Sequence, residues 1–81
     1  MNMLFCNNLK IARKSKGLSQ SEVAKSLHIE RYCYANWEQG RAEPSVTDIQ
    51  KLCVILEVSA NELLGIEDGL QIRIADINHN H

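Results

Sequence analysis

Apolar residues recur at helical spacing in five separate stretches of this chain, each bounded by residues that start or stop helices. Phe5, Leu9 and Ala12 lie three or four apart, and Gly17 stands where a helix ending near Lys16 needs a left-handed residue. Ser19-Gln20-Ser21-Glu22 has the form of a capping box: the serine oxygen accepts from the backbone N–H three residues on, and the glutamate reaches back. Val23, Ala24 and Leu27 then give a second helix of about two turns, ending before His28 and Ile29. A third helix is read over residues 30–38, with Tyr34 and Trp37 on its buried side, Arg31, Tyr32, Ala35 and Asn36 pointing outward, and Gly40 closing it. After Pro44, Ser45 caps a fourth helix with Asp48 in its first turn and a stripe of Val46, Ile49, Leu52, Cys53 and Leu56. Ser59-Ala60-Asn61-Glu62 repeats the capping pattern, and Leu63, Leu64 and Gly65 complete a short fifth helix.

No stretch before residue 66 alternates with period two, so the fold read from the pattern is an all-α bundle of five short helices over residues 1–65. Residues 66–81 differ. Asp68-Gly69 makes a turn, after which Leu70, Ile72 and Ile74 alternate with Gln71 and Arg73 as in a strand. A lone strand has no ladder partner, and the same segment of a second subunit would supply one as an antiparallel ribbon about a two-fold axis. Packing of Leu70, Ile72 and Ile77 on the chain's own bundle, continuation as a short helix, and dimerisation through helices four and five are the alternatives.

Eighty-one residues leave room for one core, and 44% hydrophobic with 23% charged residues is the balance of a folded domain rather than a disordered chain. No apolar run reaches the roughly 18–20 residues that span a bilayer, and no secretory leader is visible at the start, so a cytoplasmic location is expected. Cys6, Cys33 and Cys53 are odd in number and widely spaced, without a C-x-x-C pair, and read as small apolar fillers. The net charge of −1 conceals a division: residues 1–41 hold seven cations and three anions, whereas residues 42–81 hold two cations and seven anions. Such a two-ended chain can turn its basic half toward phosphates.

Two short helices joined by a turn, over residues 19–38, have the geometry in which one helix bridges a nucleic-acid backbone while its partner enters a major groove. Three stretches then resemble the Cro/repressor-type (XRE-like) helix-turn-helix family. They are Leu18-Ser19-Gln20-Ser21-Glu22-Val23-Ala24; the run from Ala35-Asn36-Trp37-Glu38 through Gln39-Gly40-Arg41-Ala42-Glu43-Pro44-Ser45; and Leu56-Glu57-Val58-Ser59-Ala60-Asn61-Glu62-Leu63-Leu64-Gly65. The resemblance covers roughly residues 5–65. It implies a five-helix, lambda-repressor-like bundle that binds a double-stranded DNA operator as a homodimer and regulates transcription, most often as a repressor in bacteria or their phages.

The family pattern places Ser19 and Gln20 at the start of helix two against phosphate, and Gln39 and Arg41 after helix three likewise. Arg31, Tyr32, Ala35 and Asn36 match its exposed recognition positions: arginine can pair with guanine O6 and N7, asparagine with adenine N6 and N7, and tyrosine or alanine can meet a thymine methyl. Arg13 and Glu38 match a structural ion pair that orients the reading helix. Glu30 is read as a cap of helix three, with a cytosine amino group the alternative partner. One departure is His28, where the family usually has glycine; a non-glycine residue with positive φ there costs about 1 kcal/mol.

No catalytic triad, paired carboxylates or glycine-rich phosphate loop is present, so no enzyme, cofactor or metal site is expected. The rival reading is a protein-interaction module with the same fold, for example an antitoxin-type partner of a toxin or another protein.

Overall fold

The computed structural model describes residues 3–66 and folds as five helices: α1 (Met3–Ser15), α2 (Gln20–Ser26), α3 (Arg31–Gln39), α4 (Val46–Leu56) and α5 (Ala60–Leu64). The strand read for residues 70–74 lies outside the described residues. Phe5, Leu9, Val23, Ala24, Leu27, Tyr34, Trp37, Leu52, Leu56 and Leu63 form one buried cluster to which every helix contributes. No single helix of five to thirteen residues could stand alone in water, so these side chains hold the bundle together. Tyr34 and Trp37 meet edge to face inside it, ring centroids 5.9 Å apart. Among the described residues, no helix is long and apolar enough to cross a membrane.

The helix starts follow the local chemistry closely. Ser19 accepts from the Glu22 N–H at 3.0 Å while its own N–H donates to Glu22 Oε1 at 2.9 Å, a complete capping box. The Glu22 carboxyl is held below its ordinary pKa by these bonds, the one to the Ser19 backbone first. Ser45 and Asp48 form a second complete box, both bonds 3.0 Å. At α5 only half of the expected box forms: Ser59 accepts from the Glu62 N–H. Glu30 occupies the N-cap position of α3, but its side chain makes no capping bond, which corrects the role read for it. Val46, expected in the α4 stripe, is instead 74% exposed at the first position of α4, whereas Ile49 in the same turn packs against the core.

All five helices end on a residue in the left-handed region, with the next N–H bonded back to a carbonyl five residues earlier. Glycine serves at 17, 40 and 65, as the pattern anticipates. His28, at φ 58°, serves after α2, where Ile29 N–H reaches the Ala24 carbonyl at 3.0 Å. The unusual conformation inferred for His28 is therefore present. Glu57, at φ 56°, does the same after α4, and no sequence signal marked it.

Candidate nucleic-acid interface

A single carboxylate joins the helices that carry the interface. Glu38, near the end of α3, accepts from Arg13 of α1 through Nε at 2.6 Å and Nη2 at 3.1 Å. It also accepts from the Tyr34 hydroxyl at 2.5 Å and from Nε2 of Gln20, the first residue of α2, at 3.0 Å. The third guanidinium nitrogen of Arg13 donates to the Leu18 carbonyl at 2.8 Å, so the same side chain fixes the link between α1 and α2. The Arg13 and Glu38 side chains are only 10% and 3% exposed. Burial opposes the charge on Glu38, yet hydrogen bonds from Arg13, Tyr34 and Gln20 hold its carboxyl below the ordinary glutamate value. The hydrogen bond to Glu38 raises Arg13 further, and burial followed by the bond to Glu38 pushes the Tyr34 hydroxyl well up.

The pairing of Arg13 with Glu38 expected from the resemblance is thus present and buried, and it is larger than expected. Neither the Tyr34 hydroxyl nor the Gln20 amide was foreseen as a partner of Glu38. For Tyr34 a signal existed, since it lies four residues before Glu38 on one helix face. For Gln20 there was none, because its contact depends on how α2 crosses α3.

The clamp leaves one side of α3 facing outward. Arg31 and Tyr32, in its first turn, are exposed, Tyr32 by 66%, and Asn36 one turn on is half-buried. Ala35, three residues after Tyr32 and four after Arg31, has the same helical bearing, but at 9% exposure it offers almost no surface there. Cys33, read as apolar filler, is half-buried and borders the outward face, whereas Cys6 is in the core. Gln39 ends α3 and Arg41 follows Gly40, both exposed. Ser19 is exposed and Gln20 half-buried, so α2 begins on the surface beside α3. Ser19 uses its N–H and hydroxyl oxygen in the capping box, and no described bond uses its hydroxyl proton. One N–H of the Gln20 amide is taken by Glu38. Among the described residues, no group of three or more His, Cys, Asp or Glu side chains is placed to hold a metal.

Known proteins resemble the chain in sequence and in fold. A prophage-derived HTH-type transcriptional regulator of Bacillus subtilis, YonR, is 44% identical over 61 residues, covering 75% of this chain and 56% of the regulator. A second B. subtilis protein, the HTH-type transcriptional regulator YqaE, is 39% identical over 69 residues, covering 85% of this chain and 60% of that protein. The chain therefore spans somewhat more than half the length of these relatives. The crystal structure of the restriction-modification controller protein C.AhdI from Aeromonas hydrophila superposes with a TM-score of 0.70 at 31% identity, over 75% of this chain and 92% of that one. Residues 9–63, containing the whole Arg13–Gln20–Glu38 clamp and the exposed face of α3, match the helix-turn-helix family HTH_3, and the chain belongs to that family.

Proposed function

We propose that this protein is a transcriptional regulator, acting as a repressor, that binds double-stranded DNA sequence-specifically through α2 and α3. Residues 1–65 form its DNA-binding domain and residues 66–81 an extension. The observation that carries this reading is the buried Glu38 clamp, which fixes α3 against α1 and α2 while leaving Arg31, Tyr32 and Asn36 outward. A rigidly held helix with a bidentate arginine and an asparagine on its free face meets the requirement for reading base edges in a major groove. Ala35, only 9% exposed, is left out of the reading set. Ser19, Gln20, Gln39 and Arg41 lie at the two ends of this unit and serve as phosphate contacts that set its register.

Operator binding as a homodimer completes the reading. Val46 and Val54 on α4 are 74% and 78% exposed, and a two-fold contact through this helix would cover them. Such a regulator works beside the chromosome, in the cytoplasm. The names of YonR, YqaE and C.AhdI accord with this reading.

Selection of bound sites from a random duplex pool is the direct experiment. A recovered two-fold symmetric consensus, bound with affinity that falls steeply as salt rises, is the expected result. Failure to enrich any sequence, with no salt-dependent binding to duplex DNA, would favour the protein-interaction reading instead.

A further inference from the structure

An open groove of about 380 Å³ runs between α1 and the junction of α4 with α5. It is lined along α1 by Asn8, Ile11, Ala12 and Ser15, and across from them by Leu56, Val58 and Leu63. None of its lining residues belongs to α2 or α3, so it takes no part in the nucleic-acid interface. Ile11 is 61% exposed there, and Leu4, which continues the same stripe of α1, is also exposed. The rim is charged by Lys16, ion-paired with Glu57, and by Glu62.

The chain leaves the bundle at this groove. A Cβ on Gly65 would stand 2.4 Å from Leu4 Cδ2 and 3.4 Å from Asn8 Nδ2, so the end of α5 lies in contact with α1 at the residue that opens the groove. Asn8 further ties α1 to α5 by donating to the Leu63 carbonyl at 3.3 Å. Residues 67–81 follow directly, and in them Leu70, Ile72 and Ile74 share one side of an extended chain with Arg73 on the other. The eight residue steps from Ile66 to Ile74 can reach roughly 26 Å, whereas the lined part of α1, from Asn8 to Ser15, is roughly 11 Å long.

We propose that the groove is the docking site of residues 70–74 of the same chain, with the three apolar side chains on Ile11, Ala12, Val58 and Leu63 and Arg73 near the Glu62 carboxylate at the rim. Occupation in cis rather than by a second copy follows from connectivity. Only three residues separate Ile66 from Leu70, and so short a tether gives an effective concentration in the millimolar range. On this proposal the strand-like alternation of the tail serves to cover one helix face in place of the ribbon between subunits.

Trypsin cleavage after Arg73, the sole lysine or arginine in residues 67–81, reads the docking in the full chain. Release of the peptide 74–81, followed by mass spectrometry, is expected to be roughly tenfold faster in Ile11→Glu than in the wild type, since cleavage follows the undocked population. The wild-type rate should not vary with protein concentration. Leu70→Asp, which alters only the tail and stands three residues before Arg73, should accelerate proteolysis to the same extent when scored as cleavage after Arg73, whether or not Ile11→Glu keeps its helical circular dichroism. Unchanged cleavage in Leu70→Asp overturns the proposal. Protection that strengthens with protein concentration also overturns it, and assigns the groove to a second copy.

Discussion

Glu38 is an ionised group almost wholly removed from water, and it is tolerable there because four hydrogen bonds reach its two oxygens. Glu38→Ala leaves the Arg13 guanidinium buried without its carboxylate, and thermal or urea unfolding should show a loss of about 3 kcal/mol or more. The carboxyl also dictates a pH dependence. Its folded-state pKa is lowered from the ordinary 4.5, so its contribution to stability is fully present above that value and disappears as pH falls through the lower, folded value. Urea midpoints measured down the acid range should therefore fall below about pH 4.5 in the wild type. In Glu38→Gln that part of the slope should be gone. Arg31 and Asn36 answer a different question. Alanine at either should weaken binding to the selected operator by roughly 1–3 kcal/mol while leaving binding to scrambled duplex nearly intact, a split that competition binding measures. An equal loss on both duplexes would reassign Arg31 to phosphate.

At the scale of the helices, the ends matter as much as the faces. The turn between α2 and α3 sets the angle of the reading helix, and it passes through His28 at φ 58°. Glycine adopts this conformation without the Cβ clash, at the cost of a looser unfolded chain, so His28→Gly should raise stability by about 0.5–1 kcal/mol. His28→Val should lower it, because a β-branched residue tolerates positive φ least. A pair of melting curves that moved in the same direction would contradict this account of the turn. Ser45, whose hydroxyl caps α4 from a solvent-facing position, offers a comparison without backbone strain: Ser45→Ala should cost about 1 kcal/mol.

For the whole molecule, the net charge of −1 is a poor guide to behaviour, because the cations are gathered before residue 42 and most of the anions after it. A protein that turns the first half toward phosphates releases counterions in proportion to the contacts it makes, and alanine at Arg41 should reduce the slope of log affinity against log salt by about one unit. Replacing an anion of the second half that faces away from DNA should leave that slope unchanged.

The sequence by itself determined the number of helices, their starts and most of their ends. These are local matters: a serine with a carboxylate three residues on, or a glycine after an apolar stripe, fixes its own few hydrogen bonds whatever the rest of the chain does. It also determined which residues of α3 could read a base, since arginine and asparagine carry that chemistry in their side chains, and resemblance to a known family supplied the pairing of Arg13 with Glu38. What remained undecided depended on how helices cross. Ala35 was placed outward by helical spacing and by the family pattern, but in the folded bundle it is only 9% exposed. Gln20 looked like a phosphate ligand alone, whereas the approach of α2 to α3 brings its amide to Glu38. Glu57 gave no sign of a left-handed conformation, and the groove beneath Ile11 exists only because α5 returns to α1. Contacts between residues far apart in the chain depend on the angles and distances of packed helices, and a one-dimensional pattern holds that information only where local rules happen to imply it.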